Sequence, residues 1–173
     1  MYIDIQPLKP GEQKPFPQPL GFGRLFADRM FSQHYTPEKG WHDARIGPYE
    51  PFVMDPATVV LHYGQEIFEG LKAYRRPDGR INLFRPWENA ARFNRSAQRM
   101  AMALVDPEDH VEAMASLVSV VHESVPSQPD SSLYIRPTLI ATDVALGVHA
   151  SKSYIHFIIA GPGARRGAAH LGD

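Results

Sequence analysis

Cysteine is missing altogether, which excludes a disulfide framework and thiolate catalysis. Excess charge is nearly missing too. Eighteen Lys and Arg stand against nineteen Asp and Glu, a formal net charge of -1, so no field of one sign draws the chain to nucleic acid or to an anionic membrane. No apolar run approaches the ~18 residues of a membrane span, and the opening MYIDIQPLKPGEQKPFPQPLGFG lacks the basic-then-apolar order of a secretory signal. A soluble, cytoplasmic protein is the expectation. The eight histidines, at 34, 42, 62, 110, 122, 149, 156 and 170, include no pair at metal-ligand spacing beside a second ligand cluster. They read as solvated or hydrogen-bonded side chains, and no metal is expected.

What remains is a chain of 173 residues, 43% hydrophobic, long enough for one sizeable core. Residues 1–20 carry five prolines and little periodicity, so an extended arm is expected there, packing by local contacts or not at all. GFGRLFADRMFSQHY (21–35) places Phe22, Arg24 and Phe26 on one parity and reads as a strand. The stretch from Gly47 to Pro86 reads as β-rich, with Pro77-Asp78-Gly79 turning AYRR into RINLF as a hairpin. After Pro86 the period changes: Phe93, Ala97, Met100, Ala101 and Leu104 form one stripe of a helix. Asp106-Pro107-Glu108-Asp109 announces a second helix, with an N-cap acid, Pro at N1 and acids at the positive dipole end. Val111, Met114, Leu117, Val118 and Val121 turn that helix inward. SLYIRPTLIATD and SYIHFIIAG then return to strand alternation on either side of a DVALGV turn. The fold class is α+β.

Three features bear on chemistry, each with two readings. Strand alternation puts Tyr134 and Arg136 on one face and Leu133 and Ile135 on the other; the polar pair either lines a wet pocket or decorates a solvated sheet. Arg92 either grips a phosphate with its fork of donors or joins Arg95 and Arg99 in a basic solvated face. Phe22, Tyr63 and Phe68 either wall an apolar pocket or pack the core.

A resemblance bears on these alternatives. GFGRLFADRM, the run from GWHDARIG through HYGQEIFEGLKAYRRPDGRINLFRPWENAARFNRSAQRMAM, SLYIRPTLIATDVALGV and SYIHFIIAGP together resemble the N-terminal domain of the branched-chain amino acid aminotransferases, fold-type IV enzymes of pyridoxal 5'-phosphate (PLP). The match runs in order over about residues 20–162. It implies an antiparallel or mixed sheet with two helices, and amino transfer between Leu, Ile or Val and 2-oxoglutarate, with their 2-oxo acids and Glu as the other substrates. By the same resemblance Arg92 would hold the cofactor phosphate, and Phe22, Phe68 and Tyr134 would wall the side-chain pocket. Tyr63, Leu146 and Val148 would reach into a partner subunit's pocket, implying a homodimer. Arg136 would pair with the distal carboxylate of glutamate when that substrate replaces leucine.

PLP transamination also needs an imine-forming lysine and an acid against the pyridine nitrogen, which the family carries in its second domain. Lys72, in GLKAY, is not at the family's imine position and reads as a strand-surface lysine; Lys9, Lys14, Lys39 and Lys152 match no imine motif. No catalytic residue is therefore expected in this chain, which would hold half a site and be inactive alone. Where the family continues into an aromatic, glycine-rich linker, residues 163–173 read GARRGAAHLGD, without strand or helix period. A frameshift or premature stop near residue 163 is the expectation for this tail. Exposed apolar surface and poor solubility would follow. Two other functions are compatible with the pattern: a non-catalytic regulatory fragment pairing with a full-length subunit, and another fold-type IV enzyme, a D-amino acid aminotransferase or aminodeoxychorismate lyase.

Overall fold

The computed structural model describes residues 1–6, 16, 20 and 23–164. One mixed sheet dominates it. The strands are β1 (Asp4–Ile5), β2 (Arg29–Thr36), β3 (Gly40–Pro48), β4 (Glu66–Phe68), β5 (Leu71–Arg75), β6 (Ile81–Leu83), β7 (Ser131–Ala141) and β8 (Tyr154–Ala164), in the order β1-β3-β2-β8-β7-β5-β6. β4 also pairs with β7, and only β1 with β3 runs parallel among the described pairs. The helices are α1 (Val59–Tyr63), α2 (Pro86–Arg99) and α3 (Pro107–Val120). No helix among the described residues is long and apolar enough to cross a membrane.

Alternation in the central strands decides which face is core. In β7, Leu133 and Ile135 are fully buried while Tyr134 and Arg136 stay partly open. Leu133 and Ile135 pack with Phe31, Ile46, Leu71, Ile158 and the inward side of α3, Met114, Leu117 and Val118. Each such side chain contributes roughly 1.5–3 kcal/mol by leaving water. The opposite face, free of this packing, holds the candidate site.

Local signals explain the start of α3 and the β5–β6 turn. Asp106 Oδ1 accepts from the Glu108 and Asp109 amides at 2.8 and 3.2 Å, which caps α3, and Pro107 opens its first turn. In the β5–β6 hairpin Gly79 takes φ 82°, and Asp78 Oδ1 accepts the Arg80 amide at 3.1 Å. These two ends are where the sequence places them.

Other expectations are corrected. α2 stops at Arg99, short of the stripe that runs through Met100, Ala101 and Leu104. Ala101 turns left-handed at φ 52°, the Met102 amide returns to the Ala97 carbonyl at 2.9 Å and that of Ala101 to Gln98 at 3.2 Å, a Schellman closure with alanine where glycine is usual. Met102 and Val105 are buried in place of Met100 and Leu104, pinned by Asn94, which bonds Val105 through both its amide atoms. Within the β-rich stretch, α1 is helical: Asp55 Oδ1 holds the Ala57 amide at 2.7 Å, and Gly64 ends the turn at φ 60°. Five residues are too few to show a helical period.

The strand expected over 21–35 begins only at Arg29. Upstream, the Leu25 carbonyl lies where a side chain on Gly161 would stand and the Ala27 amide donates to the Ala160 carbonyl at 2.7 Å, so this segment lies against β8 without strand structure of its own; Phe22 lies outside the described residues. The arm is extended at Asp4–Ile5, yet its partners, Arg45 and Ile46, are distant in sequence and not local. At the other end, β8 continues through Gly163 and Ala164, opposite Ser132 and Ser131, so the first two residues of the tail have strand structure; the rest lies outside the described residues. Finally, two histidines are neither solvated nor fully bonded. His156 is buried with its Nδ1 3.0 Å from Gln33 Nε2, and His110, stacked on it at 4.9 Å, has no hydrogen-bond partner for either ring nitrogen among the described residues.

Candidate functional site

Tyr134 stands at the centre of the open face. Its cross-strand neighbours are Lys72 on β5 and Gly161 on β8, and both lack bulk above the sheet or point it to solvent. Gly70, just before β5, leaves room for the Tyr134 ring: a methyl there would lie 2.9 Å from Cζ and closer still to the hydroxyl. The tyrosine borders two cavities at once.

On one side a pocket of about 200 Å³ is lined by Leu25, Phe26, Tyr134, Arg136, Ile159 and Gly161, among others. Arg136 crosses its rim. Its Nε and Nη2 donate to the Tyr134 hydroxyl at 3.1 and 2.8 Å, and its guanidinium lies 4.2 Å over the Phe68 ring. Phe68 is 57% exposed, which excludes the core reading for that aromatic. A neutral oxygen and a ring hold the arginine by weaker contacts than a carboxylate would offer.

On the other side a cavity of about 460 Å³ is lined by Gly70, Lys72, Arg85, Glu88, Asn89, Arg92 and Tyr134, among others. Three cations and one acid border it, an environment suited to an anion. Arg92 is on the seventh residue of α2 and reaches back to the β4–β5 connection, where its Nε and Nη2 each donate to Glu69 at 2.6 Å. Burial opposes the charge on Glu69, but hydrogen bonds from Arg92 and Asn89 pull its carboxyl below the usual range. The pairing with Glu69 in turn raises Arg92. Arg92 Nη1 makes no hydrogen bond among the described residues, so the guanidinium keeps donors for a further anion.

Tyr63, Leu146 and Val148 lie apart from both cavities. The Tyr63 hydroxyl donates to the Leu146 carbonyl, and Leu146 and Val148 are 66% and 85% exposed. The loop carrying them is tied at its base by Asp143, whose carboxylate accepts from the Ser153 and Lys152 amides at 3.0 and 2.9 Å and from the Ser153 hydroxyl at 2.6 Å. Burial works against ionisation there, and these hydrogen bonds with His149 outweigh it, holding Asp143 below the ordinary carboxylate range. Lys72 is exposed on β5, as a strand-surface lysine should be.

Among curated proteins, branched-chain-amino-acid transaminase 1 of Bacillus subtilis is 50% identical over 151 residues, 87% of this chain and 42% of the relative. A probable branched-chain-amino-acid aminotransferase of Streptomyces coelicolor is 46% identical over 157 residues, 90% of this chain and 43% of its own length. The chain is similar to the N-terminal part of the branched-chain aminotransferases. Its fold is that of their N-terminal domain: a T.th. branched-chain amino acid aminotransferase complexed with N-(5'-phosphopyridoxyl)-L-glutamate superposes with a TM-score of 0.62 at 26% identity, over 80% of this chain and 41% of that one. The same enzyme with 4-methylvaleric acid gives 0.60 at 25% identity, over 83% and 41%. The chain thus spans about two-fifths of the length of its relatives. No family model matches it.

Reading the family motif brings Arg92, Phe68, Tyr134 and Arg136 to one face of the sheet. It passes over Glu69, Gly70 and Asn89. A signal for the first and last existed: Asn89 and Arg92 are three apart on a helix and share a face, and an acid between Phe68 and a glycine at the end of a strand run needs a partner.

Proposed function

We propose that this chain supplies the phosphate grip and the side-chain pocket of a PLP-dependent branched-chain aminotransferase. The observation that carries this is Tyr134, which is shared by a cationic cavity on the Arg92 side and a pocket with apolar walls on the Arg136 side. A phosphate and a substrate side chain could thereby be held on two sides of one ring. Bound PLP supplies the electron sink for amino transfer; Arg92 would hold its phosphate, with Lys72 and Arg85 adding positive charge around it.

Arg136 accounts for dual substrate use. With an aliphatic side chain in the pocket it stays on Tyr134 and Phe68, leaving Leu25, Phe26 and Ile159 as apolar lining. The distal carboxylate of glutamate offers a charge-assisted, two-point contact that the tyrosine hydroxyl cannot match, so the guanidinium moves to it. Phe22 is assigned to the same wall by family resemblance. The named complexes of the T.th. enzyme, one with a glutamate adduct and one with a branched acid, support this pairing of substrate classes for that relative.

The lysine that carries the cofactor is assigned to the portion of the family length that this chain does not span. Lys39, Lys72 and Lys152 are all exposed and none is at the family's position. Tyr63, Leu146 and Val148, solvent-facing and away from both cavities, are assigned to a homodimer contact, in a cytoplasmic enzyme. Incubating the purified chain with PLP, leucine and 2-oxoglutarate tests the assignment of half a site: glutamate should not accumulate, and robust turnover would refute it.

A further inference from the structure

We infer that Glu69 is a positioning residue, holding Arg92 aligned for a phosphate ester before that ester arrives. The inference rests on the proposed phosphate role of Arg92. Its basis is an asymmetry in the pair. The Glu69 side chain is 7% exposed and the Arg92 side chain 56%, so the carboxylate is the fixed member and the guanidinium is the one presented to solvent.

The carboxylate is fixed from several directions. Oε1 accepts from Arg92 Nε, and Oε2 accepts from Arg92 Nη2 and from Asn89 Nδ2 at 2.9 Å. Asn89 also donates to the Gly70 carbonyl at 3.2 Å, tying α2 to the β4–β5 connection. Two parallel bonds along one edge of a guanidinium fix its plane as a single bond would not. Nη1 is left without a hydrogen bond among the described residues, and Arg92 borders a cavity that Lys72 and Arg85 also line.

Two effects of Glu69 oppose one another. Its charge disfavours a second anion on the same arginine, while its grip removes the cost of ordering a long side chain. The guanidinium separates the carboxylate from the Nη1 side, and solvent reaches the arginine, so repulsion is screened. The ordering gain then prevails. Immobilising one rotamer-rich side chain on binding costs roughly two- to ten-fold in affinity, and that is the expected size of the contribution.

The test compares pyridoxine 5'-phosphate with pyridoxine, probes that differ by the phosphate and cannot condense with surface lysines. Calorimetry gives the preference of the full chain for the phosphorylated probe, and NMR of the Arg92 Nε–H reports its order in the unliganded chain. Wild type should prefer the phosphorylated probe and show a slowly exchanging Arg92 Nε–H. Glu69→Gln should lose that resonance and roughly two- to ten-fold of the preference, while affinity for pyridoxine is unchanged. Glu69→Asp, which keeps the charge on a shorter stem, should restore part of both, and it decides the matter if Glu69→Gln fails to fold. A variant series in which the resonance and the preference survive at position 69, while Arg92→Ala abolishes the preference, overturns the inference and leaves the phosphate site standing. If wild type shows no preference, or Arg92→Ala keeps it, the phosphate reading falls and the inference falls with it.

Discussion

Buried His110 makes the stability of this domain depend on pH in a window set by one ring. Burial holds its pKa at about 4, against 6.5 for the free side chain, and burial pushes His156 well below 6.5 as well, with His110 beside it acting in the same direction. Glu69 is the charged group that opposes the shift of His110. Because the folded pKa lies below the unfolded one, the unfolded chain binds the proton first as pH falls. The stability is whole above 6.5 and is lost progressively down to about 4.

At about 1.4 kcal/mol per unit, His110 alone removes about 2 kcal/mol between pH 6.5 and pH 5, and about 3 kcal/mol by pH 4. His156 adds to this loss. Such losses are large beside the ~5–15 kcal/mol by which domains of this kind are stable. Urea unfolding followed by tryptophan fluorescence measures it directly, Trp41 lying against His156 at 6.1 Å between ring centroids. The decisive comparison is the change from pH 7 to pH 5 in wild type and in His110→Leu, whose fall should be smaller by about 2 kcal/mol. Equal falls in the two proteins would refute the argument, whatever the difference in their absolute stabilities.

Other outcomes follow from single contacts. Gly70→Ala should destabilise the domain by about 1–3 kcal/mol, because its methyl collides with the Tyr134 ring, and urea titration at neutral pH checks it. Asp106→Ala removes the acceptor for two α3 amides and should cost about 1 kcal/mol, seen as a lowered thermal midpoint. Asp143→Ala should speed hydrogen exchange in the loop from Val144 to Ala150 while leaving β7 and β8 protected; unchanged exchange there would show that the carboxylate does not tether the loop.

Much of the fold was legible because its signals are local. The cap at Asp106, the turn at Pro77-Asp78-Gly79 and the parity of Leu133 with Ile135 each act within a few residues, and each appears where its signal stands. What escaped reading depends on distant partners. α2 ends early because Asn94 bonds Val105 and buries Met102, and no spacing in the sequence announces that closure at an alanine. The segment before Arg29 is held against β8 by the Ala27 amide and by the room that Gly161, some 135 residues away on the sequence, leaves for the Leu25 carbonyl. In the candidate site the same division holds. Arg92, Phe68, Tyr134 and Arg136 came from the family motif, since alternation alone left Tyr134 and Arg136 between pocket and decoration. Glu69 left only a partial signal, an acid before a glycine in need of a partner, because Asn89 and Arg92 reach it only once α2 folds back onto the β4–β5 connection.

Glu69 also joins the site to the buried histidines, and this gives a prediction with two separate windows. Arg92 grips Glu69, while the next residue, Phe93, packs against His110 with ring centroids 4.6 Å apart. Removing the charge in Glu69→Gln cannot change the slope of stability just below pH 6.5, because folded His110 is already neutral there; wild type and variant should run parallel. The folded pKa of Glu69 lies below its ordinary 4.5, so its own contribution is present above 4.5 and is lost as pH falls through the folded value. The variant has no such contribution to lose. The stability gap between the two proteins should therefore be constant from neutral pH down to about 5 and shrink below 4.5. A gap that widens between pH 6.5 and 5 would mean that Glu69 stabilises the fold through a charged His110 and not only through Arg92 and Asn89.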